Sequence, residues 1–142
     1  MKHPTSTSRG NVIRHNCETG GCYNVVHKYP IGMFHDALPR NCQFTDFDAV
    51  TEVGGAICII EFKSDRARWP VAQAILIERV TRMDVPGKGL ANVGFIAVAD
   101  NETGSVSKFK RCANGKWSDW LSGGFEEMHD RICKWALWVE AL

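Results

Sequence analysis

From position 44 onward apolar and polar residues follow two distinct periods, and the switches between them mark out the elements. FTDFDAVTEV alternates as a half-buried strand does, Gly54-Gly55 follows, and AICIIEFK supplies a second strand. Two glycines between alternating runs make a two-residue hairpin turn, whose central positions need positive φ, so the two strands are predicted to pair antiparallel. After Trp69-Pro70, VAQAILIERVTRM places Gln73, Leu76, Ile77 and Val80 at helical spacing and stops before Pro86-Gly87. VGFIAVAD reads as a short buried strand and residues 106–111 as an edge strand turning at Asn114-Gly115. GFEEMHDRICKWALWVEAL reads as a closing helix with Phe125, Met128, Ile132, Trp135 and Val139 on one stripe. This order predicts an α/β (α+β) fold with a mixed central sheet of about four strands flanked by helices.

Upstream the pattern fades. Residues 12–42 are rich in Gly, Pro, Asn and His, with little periodicity, and predict a loop-dominated arm with one short helical or extended piece. Residues 1–11 carry the Ser/Thr-bearing start and predict disorder, leaving 43–142 as the core. With 142 residues, 44% of them apolar and 23% charged, the chain fits one globular domain. A net charge of +1 supplies no global attraction to nucleic acid, so any polyanion would be met by local clusters of Lys and Arg. No run suits a membrane helix and MKHPTSTSRGN lacks the apolar stretch of a secretory signal. The expectation is a soluble cytoplasmic protein with no membrane partner. Reduced thiols then follow for its six cysteines, with Cys58 and Cys133 as small core residues.

Candidate chemistry sits on the predicted hairpin. In a strand, residues two apart share a face, so Ile57, Ile59, Glu61 and Lys63 point one way while Cys58, Ile60 and Phe62 point the other. A carboxylate and an ammonium beside a buried Phe62, at the end of a buried strand, need a partner or a ligand. Across the turn, Asp46 and Asp48 share a face, and folding at Gly54-Gly55 brings Asp48 opposite Glu61. Two carboxylates and a lysine then converge, a set suited to phosphodiester hydrolysis: hard oxygens hold Mg²⁺, the metal activates a water, and an ammonium steadies developing charge. The bland reading of Glu61 and Lys63 is an ordinary exposed pair.

These residues resemble the PD-(D/E)XK nucleases, in which an Asp opening one strand is followed by Glu/Asp-x-Lys near the end of the next. The match is Asp48, then Glu61-Phe62-Lys63, with Phe47 where the family's Pro would stand. In small members, such as Holliday-junction-resolvase-like and VRR-NUC-type domains, the following helix presents a Gln to the site, and Gln73 occupies that place. The resemblance spans residues 42–100 and extends to small bacteriophage proteins. It implies a restriction-endonuclease-like core and a DNA endonuclease dependent on Mg²⁺ or Mn²⁺. Asp48, Glu61, Lys63 and Gln73 would then be catalytic, with Asp48 and Glu61 as metal ligands and Asp46 as a further candidate. The family's additional acidic residue has no certain match; Asp36 and Glu18 are candidates.

The arm supplies another ligand set. Cys17, Cys22, His27 and Cys42 offer three thiolates and an imidazole, the donors of a structural Zn²⁺ site, which would replace the apolar core the arm lacks. His15 or His35 could take the place of His27, and reduced thiols without metal are the alternative. A Cys nucleophile activated by His lacks a patterned orienting group.

Arg66, Arg68 and Arg79 follow the Glu-x-Lys strand and are candidates for contacting phosphates. Lys108, Lys110, Arg111 and Lys116 surround the later hairpin, while Trp117, Trp120, Trp135 and Trp138 are expected to be packing residues. A phage endonuclease cutting DNA is the first functional reading, and cutting two strands would favour a homodimer. The second is a non-catalytic module of the same fold that binds nucleic acid or a host protein.

Overall fold

The computed structural model describes residues 31–40 and 42–142. The chain divides into two compact units between Asp46 and Phe47. The described part of the first unit contains a seven-residue 3-10 helix, Ile31–Ala37. The Phe44 N–H donates to His35 Nδ1 at 3.1 Å, and the Phe44 ring stacks on the His35 imidazole and meets Phe34 edge-on. The disorder expected over residues 1–11 falls outside the described residues.

The second unit runs β1 (Ala49–Val53), β2 (Ala56–Lys63), α1 (Val71–Thr81), β3 (Val93–Ala99), β4 (Val106–Ala113), β5 (Lys116–Trp117) and α2 (Gly124–Ala141). The strands lie side by side in chain order. Only β2 and β3, joined through α1, are parallel; the other pairs are antiparallel. Gly54 and Gly55 form the predicted turn at φ 56° and 91°, and Val53 pairs with Ala56.

Two boundaries differ from the sequence reading. Strand β1 starts at Ala49 rather than Phe44, because the Asp48 side chain takes the Phe62 N–H and ends the backbone ladder there. The sheet has five strands rather than about four. Asn114 and Gly115, both at positive φ, turn the chain into the two-residue β5, and Leu121 bridges Phe109 beyond it, so β4 is no open edge.

Each face of the sheet packs one helix. Cys58, Val93, Phe95, Ala97 and Phe109 meet Met128, Trp135 and Val139 of α2, where Phe125 and Ile132 complete the predicted stripe. On the opposite face Ile59, Ile96 and Cys112 meet Ala74 and Ile77 of α1, with Phe47, Ile57, Trp69, Val80 and Trp117 around them. Gly94 lets α1 approach: a Cβ there would collide with Ile77 Cγ2. Asn92, 6% exposed, ties the layers together, accepting the Ile57 N–H at 2.8 Å and donating to the Val80 carbonyl at 2.9 Å.

Cys58 is buried as expected, and burial pushes its thiol up to about 12. Cys133 is exposed, because its position on α2 lies off the stripe that faces the sheet. The tryptophans divide. Trp135 is buried and donates to the Ala91 carbonyl at 2.7 Å, Trp117 is half-buried and donates to Glu78 Oε2 at 2.8 Å, and Trp120 and Trp138 are exposed. No helix among the described residues is long and apolar enough to cross a membrane.

Candidate active site

The alternation read along β2 is present up to its last residues. Ile57 and Ile59 pack toward α1, and Glu61 and Lys63, both half-buried, continue their side of the strand. Cys58 and Ile60 pack toward α2. Phe62 should have been buried on that same side, yet it is 41% exposed, because the packing against α2 ends along β2 at Ile60.

Asp48 stands where the hairpin register extends by one pair beyond Ala49↔Ile60, opposite Glu61. Two hydrogen bonds hold it there. Its N–H donates to Glu61 Oε1 at 3.2 Å, and its Oδ2 accepts the Phe62 N–H at 2.7 Å. Asp48 lies just outside the β1 ladder, and Phe47 before it packs beside Ile57 and Trp69 on the α1 side. Lys63 is one pleat beyond Glu61, about 6.8 Å along the strand, with its ammonium donating to the Ser64 carbonyl at 3.3 Å. Gln73, half-buried, stands four and seven residues before Ile77 and Val80, on the side of α1 that meets the sheet.

Strand order and crossover explain the location. Strands β2 and β3 are parallel and α1 returns between them, so Glu61, Lys63 and the start of α1 gather at the carboxyl ends of the parallel pair, where open α/β sheets leave a crevice. Arg66 and Arg68 are exposed in the turn that leaves this end of β2. Arg79 is exposed in the last turn of α1, at the other end. The helix reverses the direction of β2, so its last turn meets the strand starts, where Val80 accepts from Asn92, which in turn accepts from Ile57.

Asp65, Asp100, Thr103 and Ser105 line a cleft at the carboxyl end of β3. The N–H groups of Thr103 and Glu102 hold the Asp100 carboxyl below its ordinary range and close a turn. Asp46 and Cys42 belong to the other unit, where Cys42 is an exposed free thiol. His35 is there too, its Nδ1 engaged by Phe44. Cys17, Cys22, His27, His15 and Glu18 lie outside the described residues.

Among the described residues no group of three or more His, Cys, Asp or Glu gathers as a metal site. The Asp48–Glu61 pair nevertheless suits Mg²⁺, which retains several waters and is commonly held by one or two carboxylates together with substrate phosphates. Asp48 is exposed at the sheet margin, and two neighbouring carboxylates match the donor chemistry of that ion.

From the sequence, Lys108 and Lys110 are placed only around the later hairpin, and Trp120 is expected to be a packing residue. The register places Lys110 level with Ile96 and Glu61, and Lys108 level with Val98 and Lys63. The signal was present as two lysines at strand spacing before a tryptophan-rich turn, but only the strand order puts them level with Glu61 and Lys63 across β3. No protein-family model, curated protein or solved structure matches the chain.

Proposed function

We propose that the chain is a metal-dependent phosphodiesterase of the PD-(D/E)XK nuclease type, acting on DNA. The observation that supports this reading is the Asp48–Glu61 pair, hydrogen-bonded beside the end of β2 that carries Lys63. Asp48 and Glu61 hold Mg²⁺ or Mn²⁺. The ion supplies Lewis acidity and a bound water of lowered pKa.

Lys63 orients the attacking water or steadies charge on the phosphoryl oxygens, and Gln73 assists that orientation. Arg66 and Arg68, exposed beside the same end of β2, meet substrate phosphates. Cleavage of both strands of a duplex calls for two such sites, so a homodimer belongs to the reading.

Incubation with plasmid, branched and single-stranded substrates under Mg²⁺, Mn²⁺ and EDTA tests it. Cleavage that EDTA abolishes is expected. Intact substrates under both metals would overturn the reading.

A further inference from the structure

The face that carries Glu61 and Lys63 continues across β3 onto β4. In one lateral row stand Glu61, Ile96 and Lys110; in the next, Lys63, Val98 and Lys108. Residues in such rows share a face, and two strand spacings separate the lysines from β2, about 10 Å.

Three tryptophans gather around the lysines. Trp69, ahead of α1, meets Trp117 edge-on at 5.3 Å between centroids and Trp120 edge-on at 6.1 Å. Lys108 Nζ lies 4.6 Å from the Trp120 ring centroid, and Lys110 Nζ lies 5.3 Å from the same centroid and 5.7 Å from that of Trp69. Trp120 is 38% exposed. Neither lysine forms an ion pair among the described residues, whose ion pairs join Arg131 to Glu127 and Lys134 to Asp130.

Two ammonium groups crowded on one exposed ring repel each other, and an anion placed between them would offset that repulsion. A cationic ligand is disfavoured, because the chain's own ammoniums already occupy the ring's approach. An exposed indole next to unpaired cations is what a single strand of nucleic acid uses: base on ring, phosphate on ammonium.

We propose that Trp120, supported by Trp69 and Trp117, forms with Lys108 and Lys110 a docking platform for single-stranded nucleic acid running toward Asp48, Glu61 and Lys63. It deepens the hydrolytic reading of that site and rests on it for the fate of the bound strand. On binding, Lys108 and Lys110 swing from the Trp120 ring to the neighbouring phosphates, and the freed ring stacks a base.

The test is anisotropy of fluorescein-labelled dT and rU oligonucleotides with the full chain in EDTA, where binding is read without turnover. Wild type should bind at least one of them, and the tighter arm identifies the sugar. Trp120→Ala should weaken binding about tenfold or more, while Trp120→Phe retains most of it. Lys108→Ala/Lys110→Ala should flatten the dependence of log affinity on log salt by about 1.4, two phosphate contacts on a single strand. All these side chains reach solvent, and a thermal melt reports whether each variant is folded.

No binding by wild type, wild-type binding by both Trp120→Ala and the double lysine variant, or equal competition by polyglutamate would each overturn the platform. The two ideas fail separately. Binding lost in the variants without any cleavage under Mg²⁺ leaves the platform and removes the hydrolytic reading; cleavage with unchanged variant binding does the reverse.

Discussion

Asp48 and Glu61 are linked across the margin of the β1–β2 ladder: the Asp48 N–H donates to Glu61 Oε1 at 3.2 Å, and the Asp48 carboxylate takes the N–H of Phe62, the residue after Glu61, at 2.7 Å. Two acidic side chains are thereby fixed side by side at the end of β1. The arrangement closes the strand pair and keeps the two carboxyl groups close together at the same time. Structural and chemical roles can be separated by substitution.

Asp48→Asn keeps an oxygen that can accept the Phe62 N–H while removing the charge. The thermal midpoint should stay close to that of wild type, whereas Mg²⁺-dependent cleavage should fall about a hundredfold or more, a loss of several kcal/mol of metal-centred stabilisation. A calorimetric melt and a plasmid-nicking time course check the two halves. Full activity in Asp48→Asn would remove Asp48 from the site.

Asn92 donates to α1 and accepts from β2 while almost wholly buried. Asn92→Ala leaves the Ile57 N–H and the Val80 carbonyl without this partner, and should lower stability by about 1–3 kcal/mol, read from urea midpoints at unchanged slope.

The approach of α1 to the sheet depends on Gly94. Gly94→Ala drives a methyl into Ile77 and should cost about 1–3 kcal/mol. Ile77→Ala removes the colliding group, so in that background Gly94→Ala should cost clearly less, a coupling that a double-mutant cycle measures. Additive costs would place the strain elsewhere.

Thiol chemistry follows burial. Cys42 and Cys133 are exposed and should be alkylated in the native state at pH 8, whereas Cys58 and Cys112 should react only after unfolding, as peptide mapping would show. For Cys58 the folded thiol is pushed up to about 12 from 9.0. The protonated form is therefore favoured by folding: this contribution is full below pH 9 and is lost as pH rises from 9 toward 12. Native labelling of Cys58 at pH 8 would contradict its placement.

The order of elements in the second unit was legible because each carries its own period and its own punctuation. Gly54-Gly55 specified a turn, and the stripe from Phe125 to Val139 specified the face of α2. What escaped was non-local. The start of β1 depends on Asp48 bonding to Phe62, a contact between side chain and backbone that alternation in 44–53 does not encode. Alternation with charged residues implies a buried Phe62, but its exposure follows from where packing against α2 ends. The nearness of Asp48 to Glu61 was readable from the turn, since a two-residue hairpin fixes the register that runs up to Ala49 and Ile60. The level alignment of Lys108 and Lys110 with Lys63 and Glu61 was not, because it requires β3 to lie between them.

Glu61→Gln and Lys63→Ala address the central claim most directly, assayed beside wild type for Mg²⁺-dependent cleavage of DNA, with circular dichroism confirming that each variant is folded. The account predicts cleavage by wild type that EDTA abolishes, and a fall of about a hundredfold or more in both variants, the scale of losing several kcal/mol of charge stabilisation. Folded variants that cleave at the wild-type rate would contradict it.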